Sequence, residues 1–286
     1  MDPRHGRLRS MDARMTKDEI LVLGATGTTG RRLTAQLRAA GARVRAASRK
    51  GEVRFDWADP KTWEPAVAGV SRMYLMAPHE LPVDPAFVRC AVERGVRHLV
   101  LLSSRAIEPM GDTRLMAAER TVRESGADWT VLRPDWFNQN FDEGVLRDAV
   151  MAGEVALPLG TVRQVFVDAD DIAAVAAAVL TQDGHAGQTY ELTGPRALSF
   201  PEAVDLIGRA SGRKVRFLGR AEDYLSTMGA LGLPREQTLQ EVKAFTALRE
   251  LGDGQPTDVV RRITGRAPRD FEAYATDAAA RGAWRG

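Results

Sequence analysis

The chain has 286 residues, of which 44% are hydrophobic, enough for one large α/β domain or one domain with a modest appended lobe. Its 40 basic and 38 acidic side chains give a net charge of +2, too small to suggest nucleic-acid binding. The single cysteine, Cys90, excludes a disulfide framework within the chain, and no apolar run is long enough to cross a membrane.

Residues 1–18 are polar and basic, with no apolar periodicity. They contain no hydrophobic segment of the kind that a secretory signal needs. We therefore predict a disordered leader and a cytoplasmic location.

The segment Ile20–Gly30, ILVLGATGTTG, predicts a strand, a tight glycine turn and the start of a helix. Such a turn lets backbone approach a pyrophosphate, and the helix N-terminus presents N–H groups to it. The G-x-x-G-x-x-G spacing differs from the G-x-G-x-x-G of most dehydrogenases, so an ordinary glycine-rich loop is the alternative. The predicted phosphate contacts are Gly24, Thr26, Gly27, Thr28, Thr29 and Gly30.

The second predicted strand, 42–48, ends in Ser48-Arg49-Lys50. An NAD-preferring site places an Asp or Glu about twenty residues after the glycines, to bind the ribose 2′-hydroxyl. A guanidinium instead suits a 2′-phosphate. Ser48 and Arg49 therefore favour NADP(H), with a solvated turn as the alternative role for Arg49 and Lys50.

Strands and helices alternate through the rest of the first half. The predicted strands are 53–56, 72–76, 96–103 and 128–133, and the predicted helices are 59–68, 84–94 and 115–124. Apolar strands in repeated β-α-β units indicate an α/β fold, a doubly wound parallel Rossmann sheet with helices on both faces. Ligands bind such sheets at the carboxyl ends of the strands.

The second half is less regular. Helices are predicted at 143–152, 172–180, 200–211, 223–231, 238–251 and 268–280, and strands at 165–167, 188–193 and 214–218. We predict a smaller C-terminal substrate lobe, built mainly from about 136–275 and covering the cofactor, with a tail at 276–286.

Three carboxylates, Asp168, Asp170 and Asp171, lie close together in this half. They lack the full ligand set of a calcium loop. The helix predicted from Ile172 favours Asp170 or Asp171 as its N-cap, so we predict no metal site.

Several motifs together resemble the NmrA-like branch of the atypical short-chain dehydrogenases/reductases. They are LVLGATGTTG, LLSS, S-G-x-x-x-T-x-L-R-P-x-x-F-x-x-N and VFVDADDIAAVAAAVL, and the resemblance covers residues 19–275. RFDWADPKTW and LRPDWFNQNF are most similar to the fungal ergot-alkaloid reductases that act on a cyclic iminium, and to NAD(P)H:quinone reductases of the same branch. The branch also includes redox sensors that bind NADP without turnover.

The resemblance implies further cofactor contacts. Asp56 and Trp57 match the family position near the adenine, Ala77 and Pro78 would line the ribose side, and Ser103 would contact the cofactor at its strand end. A strand-end turn is the alternative role for Asp56.

Ordinary short-chain reductases use Tyr-x-x-x-Lys, in which the lysine lowers the pKa of the proton-donating tyrosine. None of the four tyrosines here has a lysine four residues later, and no lysine occurs between Lys61 and Lys214. Three hypotheses survive. In the first, the substrate is an iminium or a quinone, whose reduction needs little help from a protein acid. In the second, another side chain donates the proton, and the candidates are Ser104, Arg105, Asp135 and His79. In the third, the chain is a sensor that binds NADP(H) without turnover.

We prefer an enzyme, because Trp136, Phe137 and Asn140 would lie beside the nicotinamide and suit a flat aromatic or heterocyclic substrate, with closure of the core as their alternative role. His79 is a further candidate for substrate contact, with a surface loop as its alternative. The prediction is an NADPH-dependent reductase of a small cyclic imine, iminium, quinone or other conjugated acceptor, acting as a monomer or homodimer. The alternative is a non-catalytic NADP(H) sensor that regulates a protein partner.

Overall fold

The structure, a computed structural model, describes residues 19–78 and 81–285. The predicted leader at 1–18 and the candidate His79 lie outside the described residues. Within those residues, no helix is both long enough and apolar enough to span a membrane.

A mostly parallel seven-stranded sheet organises the fold, in the order β3-β2-β1-β4-β5-β6-β9. The strands are β1 Glu19–Leu23, β2 Arg43–Ser48, β3 Val53–Arg54, β4 Val70–Met76, β5 His98–Leu102, β6 Asp128–Pro134, β7 Glu154–Ala156, β8 Arg163–Gln164, β9 Gln188–Leu192, β10 Leu198–Ser199 and β11 Arg216–Leu218. The first six strands of this sheet have the Rossmann order, with the switch point between β1 and β4. The predicted fold class is confirmed.

The helices follow the sequence signals closely where a cap is present. They are α1 Thr28–Ala39, α2 Trp63–Val67, α3 Pro85–Glu93, α4 Thr113–Arg123, α5 Arg147–Ala152, α6 Ala169–Thr181, α7 Phe200–Ser211, α8 Ala221–Ala230, α9 Arg235–Glu250, α10 Val259–Thr264 and α11 Phe271–Ala280. Ser199 and Glu202 form a complete capping box at α7, which explains why that helix has its predicted bounds.

The chain divides into two compact units. The first comprises the described residues up to Ser103, with Arg114–Arg133 and Ile172–Tyr190; the second comprises Ser104–Thr113, Pro134–Asp171 and the described residues from Glu191. The first unit buries the apolar faces of its strands, such as Leu21, Leu75 and Leu101. The second has its own core, in which Phe141, Phe166, Phe200 and Phe271 pack edge to face or tilted.

Several predicted elements differ from the structure. The helix predicted at 59–68 is a 3-10 turn, Pro60–Thr62, followed by α2. The helix predicted from 143 begins at Arg147. The strand predicted at 165–167 was wrong: those residues are buried, but Val167 forms only an isolated bridge with Phe137. Burial, rather than strand pairing, explains that apolar run.

The predicted boundary at residue 275 falls within α11. Beyond this helix, Trp284 is 3% exposed and its indole N–H donates to the Phe141 carbonyl at 2.8 Å. Residues 276–285 therefore contribute to the core of the second unit.

Candidate functional site

The glycine turn after β1 is shaped by close backbone packing. Gly24 has a φ of +66°, a left-handed conformation that favours glycine. The Gly27 N–H donates to the Gly24 carbonyl at 2.8 Å. A Cβ on Gly30 would lie 2.2 Å from that carbonyl oxygen, so no side chain fits there. The turn brings bare backbone to the start of α1, whose N-cap residue is Gly27.

The threonines of the turn have different surroundings. Thr26 is exposed and Thr28 is half-buried, whereas Thr29 is buried. The hydroxyl of Thr29 accepts a hydrogen bond from Tyr74 Oη at 3.0 Å. Thr29 thus stabilises the packing of α1 on β4, and its backbone N–H at the start of the helix is a donor for an anion.

The end of β2 combines a buried hydroxyl with two exposed cations. Ser48 is 8% exposed, and its Oγ has no hydrogen-bond partner in the described part of the chain. Arg49 and Lys50 follow it and are exposed. An unpartnered buried hydroxyl followed in the chain by an exposed arginine fits a phosphate group, since a buried polar atom normally has a partner.

Asp56 and Trp57 both have structural contacts. The Asp56 carboxylate accepts from the Ala58 N–H at 3.0 Å, and its carbonyl accepts from Trp63 Nε1 at 3.1 Å. Trp57 packs edge to face on Phe55, with ring centroids 5.1 Å apart. These contacts match the turn role that the sequence left open for Asp56.

The segment after β4 is held by a cation. Ala77 and Pro78 are half-buried, and Arg114 Nη1 donates to the Pro78 carbonyl at 2.8 Å. Arg114 lies in the first turn of α4, on the helix that carries the Tyr-x-x-x-Lys pair in ordinary short-chain reductases.

Ser103 belongs to a buried charged network that the sequence analysis missed. Its Oγ donates to Glu119 Oε1 at 2.6 Å, and Glu119 is 2% exposed. Arg133 holds both carboxylate oxygens of Glu119, at 2.8 Å each, and Arg123 forms a further ion pair at 2.9 Å. The signal was present in the sequence: Leu115, Ala118, Glu119 and Val122 have apolar-face spacing, with one acid among them.

In the second unit, the candidates Arg105 and Asp135 form an ion pair, with Nη1 and Oδ2 3.1 Å apart. Glu191 forms a second ion pair with Arg105, with Oε2 and Nη2 3.2 Å apart. Burial raises the pKa of Asp135, while the Trp136 N–H and Arg105 oppose this. Ser104 is half-buried. Two residues later, Ala106 has a φ of 55°, which is uncommon for a residue other than glycine. Arg105 and Asp135 are thus engaged with each other.

The substrate candidates Trp136, Phe137 and Asn140 are all half-buried. Trp136 packs edge to face on Phe200 and stacks on Phe245, with centroids 5.0 Å and 6.2 Å away. Phe137 pairs through its backbone with Val167, and Asn140 ends a 3-10 turn beside Gly144. Of the three, Trp136 is the one that the structure places in an aromatic cluster.

The N-cap of α6 is Asp168, so the predicted caps Asp170 and Asp171 were wrong. The helix begins at Ala169, and the Asp170 N–H donates to Asp168 Oδ1 at 2.9 Å. Asp171 instead accepts from the Arg269 N–H and pairs with Arg266. No cluster of three potential metal-ligating side chains occurs among the residues that the structure describes.

Three of the four tyrosines are poorly suited to donate a proton. Burial raises the pKa of Tyr74, Tyr224 and Tyr274. The hydroxyl of Tyr190 lies 2.9 Å from His185 Nδ1. A tyrosine with a raised pKa is a weaker acid, the opposite of the change that a neighbouring lysine produces.

Comparison with known proteins settles the family. The model of the NmrA-like family matches residues 16–275. The chain belongs to the NmrA-like family. The resemblance inferred from the sequence motifs is therefore confirmed.

Curated relatives align along nearly the whole chain. The "Uncharacterized oxidoreductase YesF" of Bacillus subtilis is 35% identical, over 93% of this chain and 97% of its own length. The "NAD(P)H azoreductase" of Xenophilus azovorans is 32% identical, over 90% and 96%. "Festuclavine synthase I" of Penicillium roqueforti is 30% identical, over 90% and 96%.

Among solved structures, the triphenylmethane reductase of Citrobacter sp., complexed with NADP(H), has a TM-score of 0.73. It is 23% identical, and the match covers 91% of this chain and 99% of that one. This similarity supports the fold described above.

Proposed function

We propose that this protein is an NADPH-dependent reductase that transfers hydride to a small conjugated acceptor, a cyclic imine, an iminium or a quinone. The observation that carries the proposal is the first unit's glycine turn together with the unpartnered Ser48 Oγ and the exposed Arg49. Two of the relatives above are named as an oxidoreductase and as an NAD(P)H azoreductase, which supports redox chemistry with this cofactor.

The residues of the first unit fit NADP(H). The turn from Gly24 to Gly30 would bind the pyrophosphate through backbone N–H groups at the start of α1. Ser48 and Arg49 would hold the 2′-phosphate, Asp56 and Trp57 would lie near the adenine, and Ala77, Pro78 and Ser103 would follow the ribose side. When bound, the reduced nicotinamide supplies the hydride.

The protein's own contribution to catalysis is binding and orientation. An iminium becomes an amine when it gains a hydride, and a quinone is a strong acceptor that can take its proton from water, so neither needs a protein acid. This matches a chain without the Tyr-x-x-x-Lys pair. Ser104, Arg105 and Asp135 remain proposed candidates for a donor, and Trp136, Phe137, Asn140 and His79 for substrate contact.

The test is NADPH oxidation by the purified protein with a panel of quinones, cyclic imines and simple ketones, with NADPH binding titrated in parallel. We expect turnover with quinones or imines and none with ketones. Tight NADPH binding without turnover on any acceptor would overturn the reductase proposal and favour a redox sensor that acts through a protein partner. Turnover of ketones alone would contradict the proposed acceptor class and would point to a protein proton donor, for which Ser104, Arg105 and Asp135 are the candidates.

A further inference from the structure

The second unit contains an aromatic–carboxylate cluster, formed by Trp136, Tyr224, Glu241 and Phe245. Trp136 and Phe245 stack with their rings inclined by 23° and their centroids 6.2 Å apart. Tyr224 meets Phe245 edge to face at 5.7 Å. Trp136 and Phe245 are half-buried.

Glu241 lies one helical turn before Phe245 on α9, on the same side of the helix. Tyr224 Oη donates to its Oε2 at 2.8 Å, and Gln237 Nε2 donates to its Oε1 at 3.2 Å. Both donors are neutral. Across residues 19–78 and 81–285, no Lys, Arg or His side chain forms an ion pair with Glu241.

This pairing differs from that of Glu119 and Asp135, which are matched by arginines. Neutral donors leave the negative charge of an ionised carboxylate without a positive charge to compensate it. Burial and the Glu241 charge together raise the pKa of Tyr224, which keeps its hydroxyl protonated and donating. The cluster therefore presents a negative charge beside aromatic rings.

Both features attract the same kind of ligand. The faces of Trp, Tyr and Phe rings carry negative electrostatic potential and bind cations, most strongly at Trp. A flat ring system also gains contact area against Trp136 and Phe245. A neutral quinone would gain the aromatic contacts alone, and its carbonyl oxygens would be repelled by the carboxylate.

We propose that the aromatic–carboxylate cluster binds a flat organic cation and that Glu241 gives the enzyme a preference for cationic acceptors over neutral ones. The inference rests on the proposed reductase function, whose acceptor class it narrows. In the reaction, the carbon of the C=N⁺ bond gains the hydride, a C–H bond forms, and the π electron pair moves to nitrogen. The cation becomes a neutral amine as NADPH becomes NADP⁺, and no proton is taken up.

The test compares a cationic and a neutral acceptor on one charge-removing variant. Glu241→Gln keeps an oxygen that can accept from Tyr224 but removes the charge. The probes are an N-methylated dihydroisoquinolinium salt and menadione, both fused two-ring acceptors. Glu250→Gln, an exposed acid on the same helix, is the matched control for net charge. We expect Glu241→Gln to raise KM for the cation by about tenfold and to leave KM for menadione unchanged.

A binding measurement separates this proposal from the proposed function. Calorimetry with N-methylisoquinolinium and the NADP⁺-loaded protein needs no turnover. If neither acceptor is reduced by the unaltered protein, the reductase proposal fails, yet an increase of about tenfold in Kd in Glu241→Gln alone would still support the cation site. An unchanged Kd would overturn it.

Tyr224→Phe tests a purely structural role of Glu241, in which its hydrogen bond with Tyr224 holds α8 against α9. This variant removes the hydrogen bond and leaves both the aromatic ring and the carboxylate. The proposal predicts that its cation preference stays within about twofold of the unaltered protein. If Tyr224→Phe and Glu241→Gln weaken both probes equally, Glu241 is a tie between helices and the proposal is wrong.

Discussion

Arg49 is the residue on which the choice of cofactor depends most directly. It is exposed, follows the orphaned Ser48 hydroxyl, and stands where NAD-preferring sites carry an acid. Arg49→Glu should raise Kd for NADPH about ten- to a hundredfold, because a charge-assisted contact becomes a repulsion, and should leave Kd for NADH nearly unchanged.

Fluorescence titration with both cofactors measures this effect, and Arg43→Glu, at the other end of β2, is the control. Equal NADPH affinity in Arg49→Glu and the unaltered protein would show that another residue holds the 2′-phosphate.

Ser103 offers a second test at the level of one atom. A serine hydroxyl has one proton, and Ser103 donates it to Glu119 at 2.6 Å. Toward a bound ligand, Ser103 can therefore only accept. Ser103→Ala should raise Kd for NADPH by about tenfold and leave kcat within about threefold.

Fluorescence titration measures Kd for NADPH, and steady-state kinetics with a saturating quinone measures kcat. Ser71→Ala, which removes another buried hydroxyl of the sheet, is the control. A fall in kcat of more than about a hundredfold, with Kd unchanged, would identify Ser103 as a proton donor instead.

The sequence was informative about residues whose role follows from backbone position and less so about side-chain partners. The glycines could be placed from spacing alone, because strand, turn and helix follow in a fixed order. The Glu119 network depends on Arg133, which lies on a different element, and the partnership of Tyr224 with Glu241 joins two helices. Neither pairing leaves a local pattern in the chain.

At the scale of elements, the β1–α1 turn has no room for a side chain at Gly30. Gly30→Ala should lower the free energy of unfolding by about 1–3 kcal/mol, because its Cβ would meet the Gly24 carbonyl oxygen at 2.2 Å. NADPH binding should weaken as the turn opens.

Urea denaturation measures the stability change. Gly229→Ala on α8 is a matched control, since nothing lies within 4 Å of its added Cβ, and it should gain about 0.5–1 kcal/mol. A Gly30→Ala protein as stable as the unaltered one would mean that the turn relaxes without cost.

Elements with a local stop or start signal were the ones predicted well. Ser199 and Glu202 cap α7, and Asp84 with Pro85 opens α3. The short strand Glu154–Ala156 and the helix Val259–Thr264 were missed, because three- and six-residue elements have too few periods to show a pattern. The β7 strand pairs with the distant β11, a contact that sequence spacing does not reveal.

For the whole molecule, the doubly wound fold class could be predicted from the alternation of apolar strands and helices. The C-terminal boundary of the fold could not be predicted in this way. Trp284 is buried and bonded to the Phe141 carbonyl. Trp284→Ala should lower the free energy of unfolding by about 3–5 kcal/mol through the cavity that it leaves.

Chemical denaturation followed by circular dichroism tests this prediction. Leu251→Ala, at an exposed leucine, should change stability by less than about 0.5 kcal/mol. A Trp284→Ala protein of unaltered stability would mean that Trp284 adds nothing to the core, as expected of the predicted tail.

The buried Glu119 also bears on how this chain could change its chemistry over evolution. Replacing it, as one step toward an acid pair on α4, would leave the Arg133 guanidinium, only 15% exposed, without its carboxylate. Such an uncompensated charge typically costs about 3–5 kcal/mol, a large share of a domain's stability. A substitution that removes the Glu119 carboxylate would thus be tolerated only together with a change at Arg133.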